Sequence, residues 1–234
     1  MTSQTPFLGI LMLDTAFPRI PGDAGNINSY PFPAQIRCVT GAGSLDVVSA
    51  SGPSDTLTEV FISAAQELKD EGAVGLVSTC GFLVHRQKEI ASAVGIPTIL
   101  SGLSLFPVLR LAMGQIPIAI LTASADSLTT GTLQAADIPA EEVRVAGFDD
   151  CPAFSRAILT AKDAQPDQLD SATIEAFAVT KAQTLVAETP EIGCILLECG
   201  NLPPYANAIR VAVQRPVYSI LDAAALIWAG SKSQ

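Results

Sequence analysis

The chain alternates two kinds of pattern. Short runs, most of them apolar on consecutive residues, recur at FLGILML (7–13), IRCVTG (36–41), VGLVS (74–78), PTIL (97–100), IPIAILT (116–122), VRVAGF (143–148), CILLE (194–198) and PVYSI (216–220). A run without polar alternation is what a strand covered on both faces requires. Between these runs lie segments with helical spacing. Residues 55–70 put Leu57, Val60, Phe61, Ala64 and Leu68 on one face. Residues 171–188 do the same, less cleanly, with Ile174, Phe177, Val179 and Leu185. Strand and helix in this order predict an α/β fold with parallel sheets.

The pattern occurs twice. Helix 55–70, strand 74–79 and Cys80 correspond to helix 171–188, strand 194–198 and Cys199. The step from Cys80 to Cys199 is 119 residues, and so is the step from Pro97 to Pro216. LGIL at 8–11 and IAIL at 118–121 open the two halves. The expectation is two similar α/β lobes, residues 1–103 and 104–215, with a linker near 102–116. The terminal piece 216–234 is a candidate to cross back onto the first lobe.

Cys80 and Cys199 fall at the carboxyl ends of expected strands, where parallel α/β sheets bind ligands. Gly81 and Gly200 follow them and let backbone and ligand come close. Each pair then leads into a segment whose free N–H groups and dipole favour an anion. Facing lobes would bring the two thiols to opposite sides of one cleft. A single cysteine is by default a buried, inert residue, and Cys38, Cys151 and Cys194 are read that way. Duplication explains repeated strands, but not two thiols kept at a site-forming position. A thiolate on one face can remove a proton from carbon while a thiol on the other delivers one. Helix N-termini would lower the ordinary thiol pKa of about 8.5 toward the working range.

Composition narrows the classes. The 234 residues are 49% hydrophobic and 15% charged, which favours a substantial core over disorder. The net charge is −10 and the basic residues form no cluster, which argues against nucleic acid as a partner. No apolar run approaches a membrane span. The N-terminal stretch reads as a first strand and not a signal peptide, so the five cysteines are expected as reduced thiols in the cytoplasm. The cysteines and the one histidine show no zinc spacing, and no glycine-rich phosphate motif opens a helix. None of Lys69, Lys88, Lys162, Lys181 and Lys232 ends a strand, which argues against a pyridoxal phosphate Schiff base. No metal and no cofactor are expected.

At the residues TCGFL (79–83), LLECGNLPPY (196–205), LGILMLDTAFPRIPGD (8–23) and ILTASADSL (120–128), the chain resembles the aspartate/glutamate racemase superfamily. That superfamily includes hydantoin racemases, maleate isomerases and arylmalonate decarboxylases. The resemblance implies two pseudo-symmetric lobes, no cofactor, and one catalytic cysteine from each lobe. Both cysteines match, which disfavours the decarboxylase pattern with one. LDTAFPRIPGD, TCGFLVHRQ, GFDDCPAF and LLECGNLPPYANA also look like the algal dimethylsulfoniopropionate lyases of the same superfamily. There one thiol would abstract the proton next to a carboxylate and expel dimethyl sulfide.

Further candidates surround the cysteines. Arg19 either clamps a carboxylate or is a solvated loop residue. Asp14 ends the first strand, as a turn residue or a catalytic one. Thr122, Ala123 and Ser124 resemble the family's carboxylate-binding turn, with ordinary turn chemistry as the alternative. Asn201 and Tyr205 are near Cys199 in sequence, and Tyr205 either lines the pocket or packs behind the prolines. Phe82 and Tyr205 offer aromatic faces to a cation. Asp149 and Asp150 belong to a loop near the site or cap a helix. His85 would reach Cys80 only if its helix turned it back.

The function expected first is a cofactor-independent racemase or epimerase of a small, aspartate- or glutamate-like carboxylate. The alternatives are a dimethylsulfoniopropionate lyase using the same cysteines and a non-catalytic two-lobed binding protein. The expected partner is the small carboxylate substrate. Self-association into a homo-oligomer is left open.

Overall fold

A computed structural model describes residues 5–231. Lys232 and the first four residues of the N-terminal stretch lie outside the described residues. All eight expected strands form: β1 (Phe7–Leu13), β2 (Ala34–Val39), β3 (Ala73–Ser78), β4 (Thr98–Ile99), β5 (Ile118–Thr122), β6 (Val143–Gly147), β7 (Cys194–Leu197) and β8 (Val217–Tyr218). They build two four-stranded sheets of matching topology, β2-β1-β3-β4 and β6-β5-β7-β8. Every strand pairing is parallel. The fold is α/β and two-lobed.

Burial explains the unbroken apolar runs. Leu8, Ile10 and Leu11 of β1 and Ile120 and Leu121 of β5 have no exposed surface. Helix Asp55–Asp70 starts on Ser54, whose side chain accepts the N–H of Leu57. It buries Phe61, Ala64, Ala65 and Leu68, while Val60, expected on the same face, is 40% exposed. Helix Ser171–Glu188 starts on Asp170 and buries Ile174, Ala178, Ala182 and Leu185. Phe177 and Val179 sit at the edge of that face. The two alanines carry little hydrophobic signal in a sequence, yet they let the helix lie close to its neighbours.

Cys151 and Cys194 are buried, and all five cysteines are free thiols. Cys38 departs from the expectation of an inert core residue, because it is exposed. Its strand, β2, is the edge of the first sheet, so one flank has no neighbour to cover it. The C-terminal segment divides. β8 completes the second sheet, whereas helix Ile220–Ser231 packs on β3 and β4 of the first and buries Ile220, Ala223, Ala224 and Ile227. No helix among the described residues is long and apolar enough to cross a membrane.

Candidate active site

The two cysteines are placed by equivalent backbone geometry. One residue past β3, the Thr79 N–H donates to Leu11 O at 3.1 Å. One residue past β7, the Glu198 N–H donates to Leu121 O at 2.9 Å. The side chain of each then anchors the carboxyl end of the neighbouring strand, β1 or β5. Thr79 Oγ1 accepts the Leu13 N–H at 3.2 Å, and Glu198 Oε2 accepts the Ala123 N–H at 3.3 Å. Glu198 Oε2 also accepts the Thr122 hydroxyl at 3.0 Å.

The glycine after each cysteine packs against the opposite lobe. A Cβ on Gly81 would lie 2.1 Å from Glu198 Oε1 and 2.4 Å from Glu198 O. A Cβ on Gly200 would lie 2.5 Å from Thr79 O. No larger residue fits without a shift, and this reciprocal contact holds the two strand ends face to face. Cys80 and Cys199, each 5% exposed, line one narrow cavity of about 10 Å³, room for about one water. Phe17, Arg19, Phe82, Glu198 and Asn201 share its wall.

A polar chain runs from Cys199 across to the first lobe. The Cys199 thiol donates to Asn201 Oδ1 at 3.3 Å, and the Asn201 N–H reaches Cys199 Sγ at 3.5 Å. Asn201 Nδ2 donates to Asp23 Oδ2 at 2.7 Å. Asp23 Oδ1 accepts Arg19 Nη1 at 3.0 Å and the Gly25 N–H at 2.7 Å. Arg19 Nη2 donates to Thr15 Oγ1 at 2.9 Å, and the guanidinium lies 4.5 Å from the centre of the Phe17 ring.

Both thiols are held above their ordinary pKa, opposite to the expected lowering by helix N-termini. Burial is the main cause, and the charge of Glu198 adds to it. The N–H groups of Phe82 and Leu83 pull Cys80 the other way, and that of Asn201 does so for Cys199, without prevailing. Removing water destabilises a thiolate more than a few backbone dipoles stabilise it. Glu198 is itself pushed up to about 7 by burial, against the N–H of Ala123 and the hydroxyl of Thr122.

Of the residues singled out from sequence, Cys80, Cys199, Arg19, Phe82 and Asn201 meet at the cavity. Gly81 and Gly200 form the contacts behind it. Thr122 acts through Glu198, Ala123 lines the wall, and the Ser124 hydroxyl bonds Ser127. Tyr205 is buried in the core of the second lobe. Asp14 is outside the cavity: it accepts the Gly41 N–H at 3.1 Å and pairs with Lys162 of the second lobe. Asp149 accepts the Ala125 N–H at 2.8 Å and Asp150 pairs with Lys181, so neither reaches the thiols. His85 bonds Thr132 Oγ1 at 3.1 Å and does not line the cavity.

Several residues of the site carry no expectation from the sequence, among them Phe17, Thr79, Glu198 and Asp23. Glu198 had a readable signal, an acidic residue closing the apolar run CILLE where the first half has threonine. Asp23 had none, because its partner Asn201 is 178 residues away. Among the described residues, no group of three or more His, Cys, Asp or Glu side chains is arranged to hold a metal ion.

A dimethylsulfoniopropionate lyase from Durusdinium sp. clade D is 31% identical over 228 residues, covering 93% of this chain and 72% of that protein. Dimethylsulfoniopropionate lyase 3 of Emiliania huxleyi is 27% identical over 228 residues, and this chain spans 58% of its length. Among solved structures, unliganded arylmalonate decarboxylase superposes with a TM-score of 0.57 at 18% identity, covering 98% of this chain and 96% of that one. A glutamate racemase from Bacillus anthracis superposes with a TM-score of 0.56 at 13% identity, covering 97% and 83%. No family model matches the chain.

Proposed function

Because this chain belongs to the dimethylsulfoniopropionate lyase family and has the aspartate/glutamate racemase fold, we propose that it is a carbon–sulfur lyase releasing dimethyl sulfide and acrylate from dimethylsulfoniopropionate. A thiolate, from Cys80 or Cys199, takes a proton from the carbon next to the carboxylate. The C–H electron pair becomes the second bond between that carbon and its neighbour. The C–S bond breaks with its pair going to sulfur. Dimethyl sulfide leaves neutral, acrylate keeps the carboxylate, and the thiol returns its proton to solvent. No electron acceptor and no cofactor enter the balance.

The observation that carries the lyase over the racemase is how Arg19 is engaged. Its charge is already paired with the Asp23 carboxylate, and one N–H of each terminal nitrogen is engaged, with Asp23 and Thr15, so the unpartnered Nε is left to meet one substrate carboxylate rather than the two of an acidic amino acid. Glu198, buried beside both thiols, would repel that carboxylate as well. A sulfonium fits the same surroundings. Its positive charge offsets the burial and negative charge that hold the thiols protonated, so binding itself favours the thiolate. Racemisation of an acidic amino acid is the second reading, and the retention of both opposed thiols favours it.

The test is incubation of the purified protein with dimethylsulfoniopropionate, and separately with aspartate and glutamate, in deuterated water. Dimethyl sulfide release without α-proton exchange of the amino acids is expected. Exchange or inversion of either amino acid, with no dimethyl sulfide, would replace the lyase with the racemase.

A further inference from the structure

Glu198 is 1% exposed at the end of an otherwise apolar strand. Its structural duty needs only one oxygen. Oε2 holds the Ala123 N–H and the Thr122 hydroxyl, and in the first lobe a threonine hydroxyl does the equivalent job for Leu13. The second oxygen, Oε1, is buried and has no hydrogen-bond partner. Among the described residues, one other buried side-chain nitrogen or oxygen lacks a partner, Arg19 Nε. Both residues line the cavity that holds the two thiols. One of these orphans is an acceptor on an acid, and the other a donor on a base. A buried polar group left unmatched is costly, and two of opposite character around one cavity describe the complement of a zwitterion.

We infer that Glu198 is a specificity-determining residue whose carboxylate receives the positively charged end of the substrate, with Arg19 Nε toward its carboxylate. The inference deepens the lyase reading and rests on it. A sulfonium, or any fully alkylated onium, carries charge but no N–H. It cannot occupy a hydrogen-bond acceptor by donation, and it is held by an unshared carboxylate oxygen and by aromatic faces such as Phe17 and Phe82 in the same wall. A primary ammonium would instead have three protons to satisfy, and among the described residues the cavity wall offers it one buried side-chain oxygen without a partner. Once opened beyond its one-water volume, the site therefore takes a small carboxylate bearing an alkylated cation.

Two probes of one shape separate charge from fit: 3-(trimethylammonio)propanoate and its neutral carbon isostere, 4,4-dimethylpentanoate. Their affinities for the wild type, Glu198→Gln and Glu198→Thr are measured by calorimetry, with dimethyl sulfide release assayed on the same preparations. The wild type is expected to hold the cation at least about tenfold more tightly, since the charge is met in a low-dielectric cavity. Both variants are expected to bring the two affinities within about twofold. Glu198→Thr copies the residue at position 79 and serves if the glutamine variant fails to fold. Equal affinities in the wild type, or a preference that survives either substitution, overturn the inference. If dimethyl sulfide is released without charge preference, the inference falls and the lyase stands. If the preference and its loss are seen without dimethyl sulfide, the lyase falls and the role of Glu198 stands.

Discussion

Thr79-Cys80-Gly81 and Glu198-Cys199-Gly200 make the same turn at the end of corresponding strands. Each adds one rung to its sheet, each anchors the carboxyl end of the neighbouring strand, and each glycine lies against the opposite lobe. The side chains around them differ. Cys80 is followed past its glycine by Phe82, which is wholly buried, while Cys199 is followed by Asn201, joined through Asp23 to Arg19. The duplicated backbone supplies two equivalent positions, and the neighbours make the two thiols inequivalent. A racemase needs a base on each face. An elimination needs one base, and the second thiol is free to take another part.

The sharpest way to break this comparison is to remove each thiol in turn. For elimination, one of Cys80→Ala and Cys199→Ala should lower kcat/KM for dimethyl sulfide release about 10²–10⁴-fold, the usual worth of a positioned base. The other should cost less than about tenfold, as a residue that shapes the cavity without moving the proton. Equal, near-total losses would mean that both faces transfer protons, and would return the argument to racemisation.

Glu198 against Thr79 is the next contrast, and it titrates. The Glu198 carboxyl lies at about 7 in the fold, against its ordinary 4.5. Below about pH 4.5 folded and unfolded chains both hold the proton, and nothing is lost. Between there and about pH 7 the folded chain holds more proton than the unfolded one, so stability falls as pH rises. Above pH 7 the full penalty remains, about 3 kcal/mol at 1.36 kcal/mol per unit. Glu198→Gln keeps the shape without the charge. Urea unfolding from pH 4 to 8 should show it gaining stability over the wild type as pH rises, by up to about 3 kcal/mol. A difference that stays flat across this range would mean that the carboxyl is not penalised by burial.

The paired glycines test the symmetric part of the comparison. Gly81→Ala and Gly200→Ala each force a methyl into the opposite lobe, at a cost of about 1–3 kcal/mol for overpacking. Similar losses in urea unfolding are expected from both. If either substitution is neutral, the lobes are not in firm contact at that point.

How much of this was legible follows from the range of each interaction. The inner strands β1, β3, β5 and β7 and the helices 55–70 and 171–188 were readable because burial on both strand faces, and on one helix face, writes a local pattern. Cys80 and Cys199 were readable because the repeat places them in register. Cys38 was misread, because nothing local says that its strand lies at a sheet edge. Asp14 looked like a site residue from its place at a strand end, but its partner Lys162 was 148 residues away. The polarity of the cavity was hidden for the same reason. Glu198 gains its meaning from Gly81 and the two thiols, and Asn201 from Asp23. The raised thiol pKa values depend on closure of the two lobes, which leaves no trace at either cysteine in the sequence.

The smallest expected effect isolates the anchor that the two halves share. Thr79→Val removes the hydroxyl that accepts the Leu13 N–H and keeps nearly the same volume. The buried Leu13 N–H loses its acceptor, and for so long a bond the cost belongs at the low end of about 1–3 kcal/mol; neither side chain titrates. The loss in urea unfolding should therefore be about 1 kcal/mol and the same at pH 5 and pH 8, in contrast to Glu198→Gln. That outcome would leave the backbone anchor as the part held in common and the second carboxylate oxygen as the part that is new in the second lobe. A loss that grows with pH would mean that position 79 is electrically coupled to Glu198 through Gly81 and Cys80. The two halves could then no longer be treated as one shared scaffold with a separate charge added on one side.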